Sequence, residues 1–341
     1  MTRLLQAMAG AAHGGAEAFF ERLAGALDRA GEEQAIVIRR NPERAARLRR
    51  EGVEPVELPF GGIFDFVTRP RLERAISAFR PQIVLTWMSR ATALCPRGDF
   101  VHVARLGGYY DLRHYRHSDH LIGNTRALTT WLVAEGWPAA RVHYLPNFAA
   151  EARAAPLPRA AFATPEGAPL ALALGRLHRN KGFDLLLDAV ARIEGLYLWL
   201  AGEGPLESEL KRRAASLGVA ERVRFLGWRE DVPALLAACD VLVSAARVEP
   251  LGNTIIEAWA SGKPVIAASC SGPAELIENG KNGLLVASED AVALAAAMRR
   301  VIGDRMLAAA LAASGRESFE AQFSEARVVA AYRDFFAKVA R

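Results

Sequence analysis

Two glutamates eight residues apart, Glu249 and Glu257, bracket Pro250-Leu251-Gly252-Asn253-Thr254. A glycine turn opening a helix leaves the first amides, here Gly252, Asn253 and Thr254, without intrahelical acceptors, and such amides suit a phosphate. A carboxylate one turn into that helix can accept both hydroxyls of a ribose. A second charged set lies upstream. Gly175-Arg176-Leu177-His178-Arg179-Asn180-Lys181-Gly182 follows the apolar run Leu170–Leu174. Arg176 and Lys181 join a planar, bidentate cation to a compact one on a strand-to-helix loop, which fits a diphosphate. Alone, that loop reads equally well as a basic surface turn. Chance also readily explains the glutamate pair; it explains the pair, the glycine turn and the cationic loop together much less well. Gly202-Glu203-Gly204-Pro205 ends another strand with a further glycine-rich turn.

The amino-terminal half carries weaker signals. Gly14-Gly15 sits between the first strand and the first helix. It is not the dinucleotide pattern, and no acidic residue closes the next strand, which speaks against a dehydrogenase. Tyr109, Tyr110, Arg105 and Arg113 surround a Gly107-Gly108 turn. They are expected to line one side of a cleft, the acceptor side under the family resemblance given below, although an aromatic turn that merely stabilises the loop fits as well. Five of the seven histidines fall between His102 and His143. The series His114-x-x-His117-x-x-His120 drifts around a helix and lacks accompanying cysteine or carboxylate spacing, so no metal is expected. No two aspartates lie two apart, so Asp-x-Asp is absent.

These residues need elements to hold them. Short apolar runs alternate with helix-period segments along the chain. Strands are expected at Leu4–Met8, Gln34–Ile38, Ile83–Met88, Phe100–Ala104, His120–Ile122 and Val142–Leu145. Six more are expected at Leu170–Leu174, Tyr197–Ala201, Val223–Leu226, Val241–Ser244, Pro264–Ala268 and Gly283–Val286. Continuous apolar strands separated by helices mean buried parallel sheets with right-handed crossovers. The 341 residues divide into two doubly wound domains, 1–147 and 148–320, joined near Pro146-Asn147-Phe148. A helix over about 321–341 carries Val328, Val329, Tyr332, Phe335 and Phe336 on one apolar face; the family resemblance given below implies that it packs back on the first domain.

Composition narrows the classes. The chain is 51% hydrophobic and 24% charged, which excludes disorder and fibrous repeats. Three scattered cysteines fit a reducing compartment. No stretch reaches the ~18 apolar residues of a spanning helix. The apolar start is interrupted by Gln6 and is read as part of the fold, not as a cleaved leader. The net charge of +5 is uneven: residues 1–150 hold 20 arginines, no lysine and 15 acidic residues, and the remainder balances at 23 of each sign. The first half therefore faces something anionic. Arg39–Arg50, the densest run, reads as a solvated helix or as a patch facing lipid or phosphate.

Together, Gly14-Gly15-Ala16-Glu17, Gly175-Arg176…Lys181-Gly182, Gly202-Glu203-Gly204-Pro205 and Glu249-x7-Glu257, followed by Gly262-Lys263-Pro264-Val265, resemble glycosyltransferase family 4. Asp119–Asn124, Pro146-Asn147, Asp240–Ser244 and Gly272-Pro273-Ala274-Glu275…Asn282-Gly283 match as well. The resemblance covers nearly the whole chain and is most specific over 170–290. It implies the GT-B fold: α/β, with two Rossmann-like domains facing each other across a cleft.

It also implies roles. Arg176 and Lys181 would neutralise the donor diphosphate, Glu257 would hold the ribose, and Glu249 would contact the donor sugar. Gly14, Gly15, Gly204 and the amides of Leu251, Gly252, Asn253 and Thr254 would complete the donor site. Trp228 and Arg229 lie where the family seats the nucleobase. A histidine near the donor sugar would be His13 or His114. The implied function is retaining transfer of a sugar from a nucleotide-diphosphate sugar by front-side displacement, without metal or other cofactor. The expected acceptor is an anionic glycolipid or saccharide of lipopolysaccharide or exopolysaccharide type, at the cytoplasmic face of the inner membrane. A nucleotide-sugar epimerase or another two-domain nucleotide-binding protein is the alternative. Nucleic acid is not expected as a partner, since no basic motif interleaved with aromatics is present.

Overall fold

The computed structural model describes residues 2–12, 14–62, 64–151 and 154–340. The chain forms two compact units, one of residues 1–148 and 325–341, the other of residues 149–324. The second unit thus begins one residue later than the expected domain edge. The return to the first unit falls at 324/325, between two helices, Arg305–Gln322 and Glu325–Val339.

The first unit is built on a seven-stranded sheet: β1 Arg3–Met8, β2 Glu33–Arg39, β3 Pro55–Leu58, β4 Ile83–Trp87, β5 Val101–Leu106, β6 His120–Gly123 and β7 Val142–Tyr144. Their order is β3-β2-β1-β4-β5-β6-β7, and every pairing is parallel. Six strands lie where apolar runs occur in the sequence. The seventh, β3, has no apolar run to mark it: its Pro-Val-Glu-Leu is short, starts on proline and occupies a sheet edge, the place where a missing N–H is tolerated. Central β4 is buried throughout. Gln6 is also fully buried; it accepts from Trp87 Nε1 at 3.0 Å and donates to Gln34 at 2.7 Å, so its polarity is satisfied.

The helix Glu325–Val339 closes this unit. Val328, Val329, Tyr332, Phe335 and Phe336 join the core formed by Phe19, Phe20, Trp87 and Phe148. Arg333 meets buried Glu32 at 2.8 Å, and Arg29 meets Glu325 at 2.9 Å.

The second unit has six parallel strands: β8 Leu170–Leu174, β9 Tyr197–Ala201, β10 Val223–Phe225, β11 Val241–Ser244, β12 Val265–Ala268 and β13 Leu284–Val286. Their order is β10-β9-β8-β11-β12-β13. Both sheets reverse direction of winding once, between β1 and β4 in the first unit and between β8 and β11 in the second. At such reversals the loops leaving the carboxyl ends of the two strands diverge and open a crevice.

The units differ in charge. The first holds 24 basic and 17 acidic residues, the second 19 and 21. The densest basic run is less available than its composition implies. In the helix Pro42–Arg50, Arg44 is fully buried against Glu21 at 2.9 Å, Arg47 meets the same carboxylate at 2.6 Å, and Arg49 pairs with Glu54 at 2.9 Å.

Candidate active site

The crevice between β8 and β11 receives two loops that are distant in sequence. After β8, the chain passes through Gly175–Gly182 before the helix Phe183–Ala191. After β11, it passes through residues 245–252 before the helix Asn253–Ala260. Lys181 and Glu249 meet here: the lysine Nζ donates to Glu249 Oε2, in a pair mostly screened from solvent. Glu249 Oε1 also accepts the Gly252 amide at 3.2 Å, and its backbone carbonyl accepts Gly272 N at 2.8 Å and Ser271 Oγ at 3.2 Å. One carboxylate thus joins the cationic loop to the turn that starts the helix.

The loops are locked by a residue with no obvious sequence signal. Arg247 forms a bidentate pair with Asp184 at 2.7 and 2.8 Å and meets Glu289 at 2.5 Å. Its Nη1 also donates to the Arg179 carbonyl at 3.0 Å. The amides of Arg247 and Val248 donate to the Asn180 carbonyl at 2.8 and 3.1 Å. The guanidinium beside Asp184 holds that carboxyl below its usual range. Gly182 completes the lock. Its φ is +62°, and a Cβ there would fall 2.0 Å from the Ala245 carbonyl oxygen, so the loops approach to backbone contact.

Arg176 is exposed and, among the described residues, has no ion-pair partner. It is therefore available to an incoming anion, whereas Lys181 is engaged by Glu249. The third loop of the site, after β9, is tied to the first. Leu177 N donates to the Glu203 carbonyl at 2.9 Å, and Leu206 N to the Leu177 carbonyl at 3.1 Å, with Gly204 between them. Trp228 is half exposed, and its amide donates to Glu203 at 3.3 Å. Arg229 is held by Asp231 at 2.8 and 2.6 Å and lies over the Phe162 ring. Leu251 and Gly252 are buried; Asn253, Thr254 and Glu257 are partly exposed on the helix they begin.

In the first unit, Gly14 and Gly15 stand at the carboxyl end of β1, where the helix Gly15–Arg29 begins. Glu17, 5% exposed, folds back so that its Oε1 accepts the Ala11 amide at 2.7 Å. A Cβ on Gly14 would lie 2.3 Å from Glu17 Oε2, so a larger residue there would displace the Glu17 carboxylate. Arg44 donates to the Ala11 and Ala12 carbonyls at 2.7 and 3.2 Å. An arginine from the densest basic run therefore shapes the glycine loop, and composition alone could not separate it from its solvated neighbours.

The residues expected on the acceptor side separate into different settings. His13 lies outside the described residues. Arg105 is a correction: it is 2% exposed, donates to Tyr332 Oη at 2.8 Å and to Asn147 Oδ1, and stacks on Phe19 and Trp87 at 4.6 Å each. It fastens the terminal helix, because β5 is an inner strand of a sheet covered by that helix. Arg113 is exposed but grips Asp111 in a bidentate pair at 2.6 and 2.8 Å, so it is not a free cation. His114 is exposed. Tyr109, half exposed, packs edge-on against Trp131 at 5.1 Å. Tyr110 lies by Gly107 and Gly108; burial, then the Glu17 charge, pushes its phenol up.

The spaced histidines do not converge. His117 meets Arg97 at 3.2 Å, whereas His120 meets His143 at 3.0 Å. Among the described residues, no group of three or more histidine, cysteine or carboxylate side chains comes together. The cysteines are not poised as nucleophiles: burial pushes the Cys95 and Cys239 thiols up to about 12 and raises that of Cys270.

Two parallel α/β units with switch-point loops of this kind fit the GT-B fold. Solved structures with this fold include Anabaena Alr3699/HepE in complex with UDP and glucose (TM-score 0.85, 22% identity, covering 99% of this chain and 100% of that one). A glycosyltransferase from Rickettsia africae ESF-5 matches at TM-score 0.87 and 19% identity, covering 99% of this chain and 98% of that one. In sequence, the family described as "Glycosyl transferases group 1" matches residues 168–304, and "Glycosyl transferase 4-like domain" matches residues 14–147. Two lipopolysaccharide core biosynthesis glycosyltransferases of Rhizobium meliloti (strain 1021) align along nearly their whole length. LpsE is 36% identical, covering 95% of this chain and 96% of its own; LpsD is 34% identical, covering 95% of each. The chain belongs to the family 4-type glycosyltransferases.

Proposed function

We propose that this glycosyltransferase moves a sugar from a nucleoside-diphosphate sugar to a hydroxyl of a lipopolysaccharide-type or exopolysaccharide glycolipid, with retention and without a metal. The observation that carries the donor half is the Lys181–Glu249 contact at the β8/β11 crevice, on a loop that also bears the exposed Arg176. A diphosphate leaving group gains negative charge as it departs, and preset cations and helix amides stabilise that charge. In this reading Lys181 turns from Glu249 to the diphosphate, and the freed Glu249 carboxylate accepts from sugar hydroxyls. The bond from the anomeric carbon to the diphosphate oxygen breaks as the acceptor oxygen bonds to the same face. The acceptor proton passes to the leaving phosphate. Glu257 receives the ribose hydroxyls, and Trp228 offers its exposed ring to the base.

The lipopolysaccharide-core names of the two full-length relatives support the acceptor class. A cytoplasmic enzyme that visits the inner membrane would meet such an acceptor. Among the described residues no helix is long and apolar enough to cross a membrane. A thermal-shift screen of UDP, GDP, ADP and their sugars tests the donor, since a ligand that binds only the folded state raises the melting temperature. Stabilisation by one nucleotide series, with transfer that survives EDTA, supports the reading. No shift with any nucleotide overturns the donor assignment, and loss of transfer in EDTA overturns metal independence.

A further inference from the structure

Phe64 is 88% and Phe66 78% exposed, with Val67 beside them at 44%. All three follow β3, at the edge of the first sheet. Single exposed apolar side chains are ordinary, but two almost fully exposed phenyl rings two residues apart form a patch. The turn that presents them is firmly built. Asp65, between the rings, accepts the amides of Gly61 at 2.6 Å, Val67 at 3.1 Å and Thr68 at 2.9 Å, and the Thr68 hydroxyl at 2.5 Å. Thr68 is fully buried, and its Oγ1 in turn accepts the Phe60 amide at 2.8 Å. Phe60 is buried below, and its carbonyl accepts from Arg90 at 2.8 Å. The hydrogen bond from Thr68 and those from the backbone hold the Asp65 carboxyl down at about 2. It stays ionised, with its charge turned into the loop, while the rings are turned out.

The surroundings are cationic. Arg39 and Arg40 stand at the end of β2, beside Leu58 where this loop begins. Arg71 and Arg74 share a face of the helix Thr68–Phe79 that follows it. All four are exposed and, among the described residues, have no ion-pair partner. Nearby carboxylates are engaged: Glu57 accepts the Asn41 amide at 2.9 Å, and Glu73 meets Arg69 at 3.3 Å. The unit as a whole has seven more basic than acidic residues.

We propose that Phe64 and Phe66 insert into the interface of an anionic lipid bilayer, with Arg39, Arg40, Arg71 and Arg74 facing its head groups. Two phenyl rings offer ~150–250 Å² each, well short of the ~1,000 Å² expected of a stable protein partner's interface. A bilayer needs only a small apolar insertion backed by basic charge. This assignment rests on the glycolipid-acceptor reading above and moves the lipid contact from Arg39–Arg50 as a whole to the β3 loop and its neighbours.

The test is co-sedimentation of the full chain with vesicles of phosphatidylcholine, alone or mixed with phosphatidylglycerol. Wild-type protein is expected to bind the anionic vesicles and bind the neutral ones at least ~10-fold more weakly. Phe64→Ser with Phe66→Ser, at unchanged melting temperature, is expected to lose ~10-fold or more. Arg71→Glu with Arg74→Glu should weaken binding, and added salt should mimic it. Phe64→Trp should show blue-shifted emission on anionic vesicles only. Failure of wild type to bind anionic vesicles overturns the membrane surface; undiminished binding by the double-serine variant overturns the loop's part in it. Thermal shift with nucleotide sugars on the same samples separates either failure from failure of the donor reading.

Discussion

The Lys181 ammonium donates to the Glu249 carboxylate across 68 residues of sequence, between the loops that leave β8 and β11. The contact links the group expected to bind diphosphate to the group expected to bind sugar. An occupied site would replace one strong charge-assisted bond by others. It would thereby couple arrival of the phosphate to release of the carboxylate.

Lys181→Ala and Glu249→Ala should each lower transfer by about 10²–10³-fold, the scale of removing one preset group from a developing charge. Melting temperatures should stay within a few degrees of wild type. Initial rates with labelled donor check this, and near-normal turnover in both variants would remove these residues from the chemistry.

Arg247 should act through the loops without touching the donor. Arg247→Ala frees the Arg179 carbonyl and leaves Asp184 and Glu289 without their cation, so donor affinity should fall about 10-fold or more. Arg247→Lys keeps the charge but not the bidentate geometry and should recover only part of it. Calorimetric titration with the nucleoside diphosphate measures both. An unchanged Kd for Arg247→Ala would mean that the loops hold without it.

Arg105→Ala should destabilise the first unit by about 2–4 kcal/mol, since it removes a buried hydrogen-bonded cation stacked on two rings and leaves Tyr332 and Asn147 short of partners. Urea midpoints give the magnitude. Hydrogen exchange should show the helix Glu325–Val339 opening first. A loss of transfer with full stability would return Arg105 to the acceptor side.

Acid should weaken the first unit through two histidines. Burial lowers His102 to about 4; burial, then the nearby His120, lowers His143 to about 4 as well. The unfolded chain takes up these protons near pH 6.5 and the folded chain near 4, so the unfolded state binds more protons in between. Stability should therefore be at its plateau above about pH 6.5 and fall progressively toward pH 4. Urea titrations of wild type and His143→Asn across that range should show a shallower fall in the variant; identical slopes would exclude His143 as a contributor.

The strands with a continuous apolar pattern, the two-domain division and the position of the glycine- and charge-bearing loops were legible in the sequence. Burial of a parallel strand on both faces forces apolar runs, and glycines and charges at loop positions are local necessities. The sequence did not mark β3, whose edge position lets it do without an apolar run. It also could not tell equivalent arginines apart. Arg105 beside a glycine turn and Arg113 a few residues on look alike in sequence, yet one is enclosed by Phe19, Trp87 and Tyr332 while the other clasps Asp111 in solvent. Arg44 became a strut for the glycine loop, and Arg247 a clamp on Asp184 and Glu289. Packing assigned these roles, because what a cation does is set by the carbonyls, carboxylates and rings brought to it from distant positions, and by how much water is left beside it.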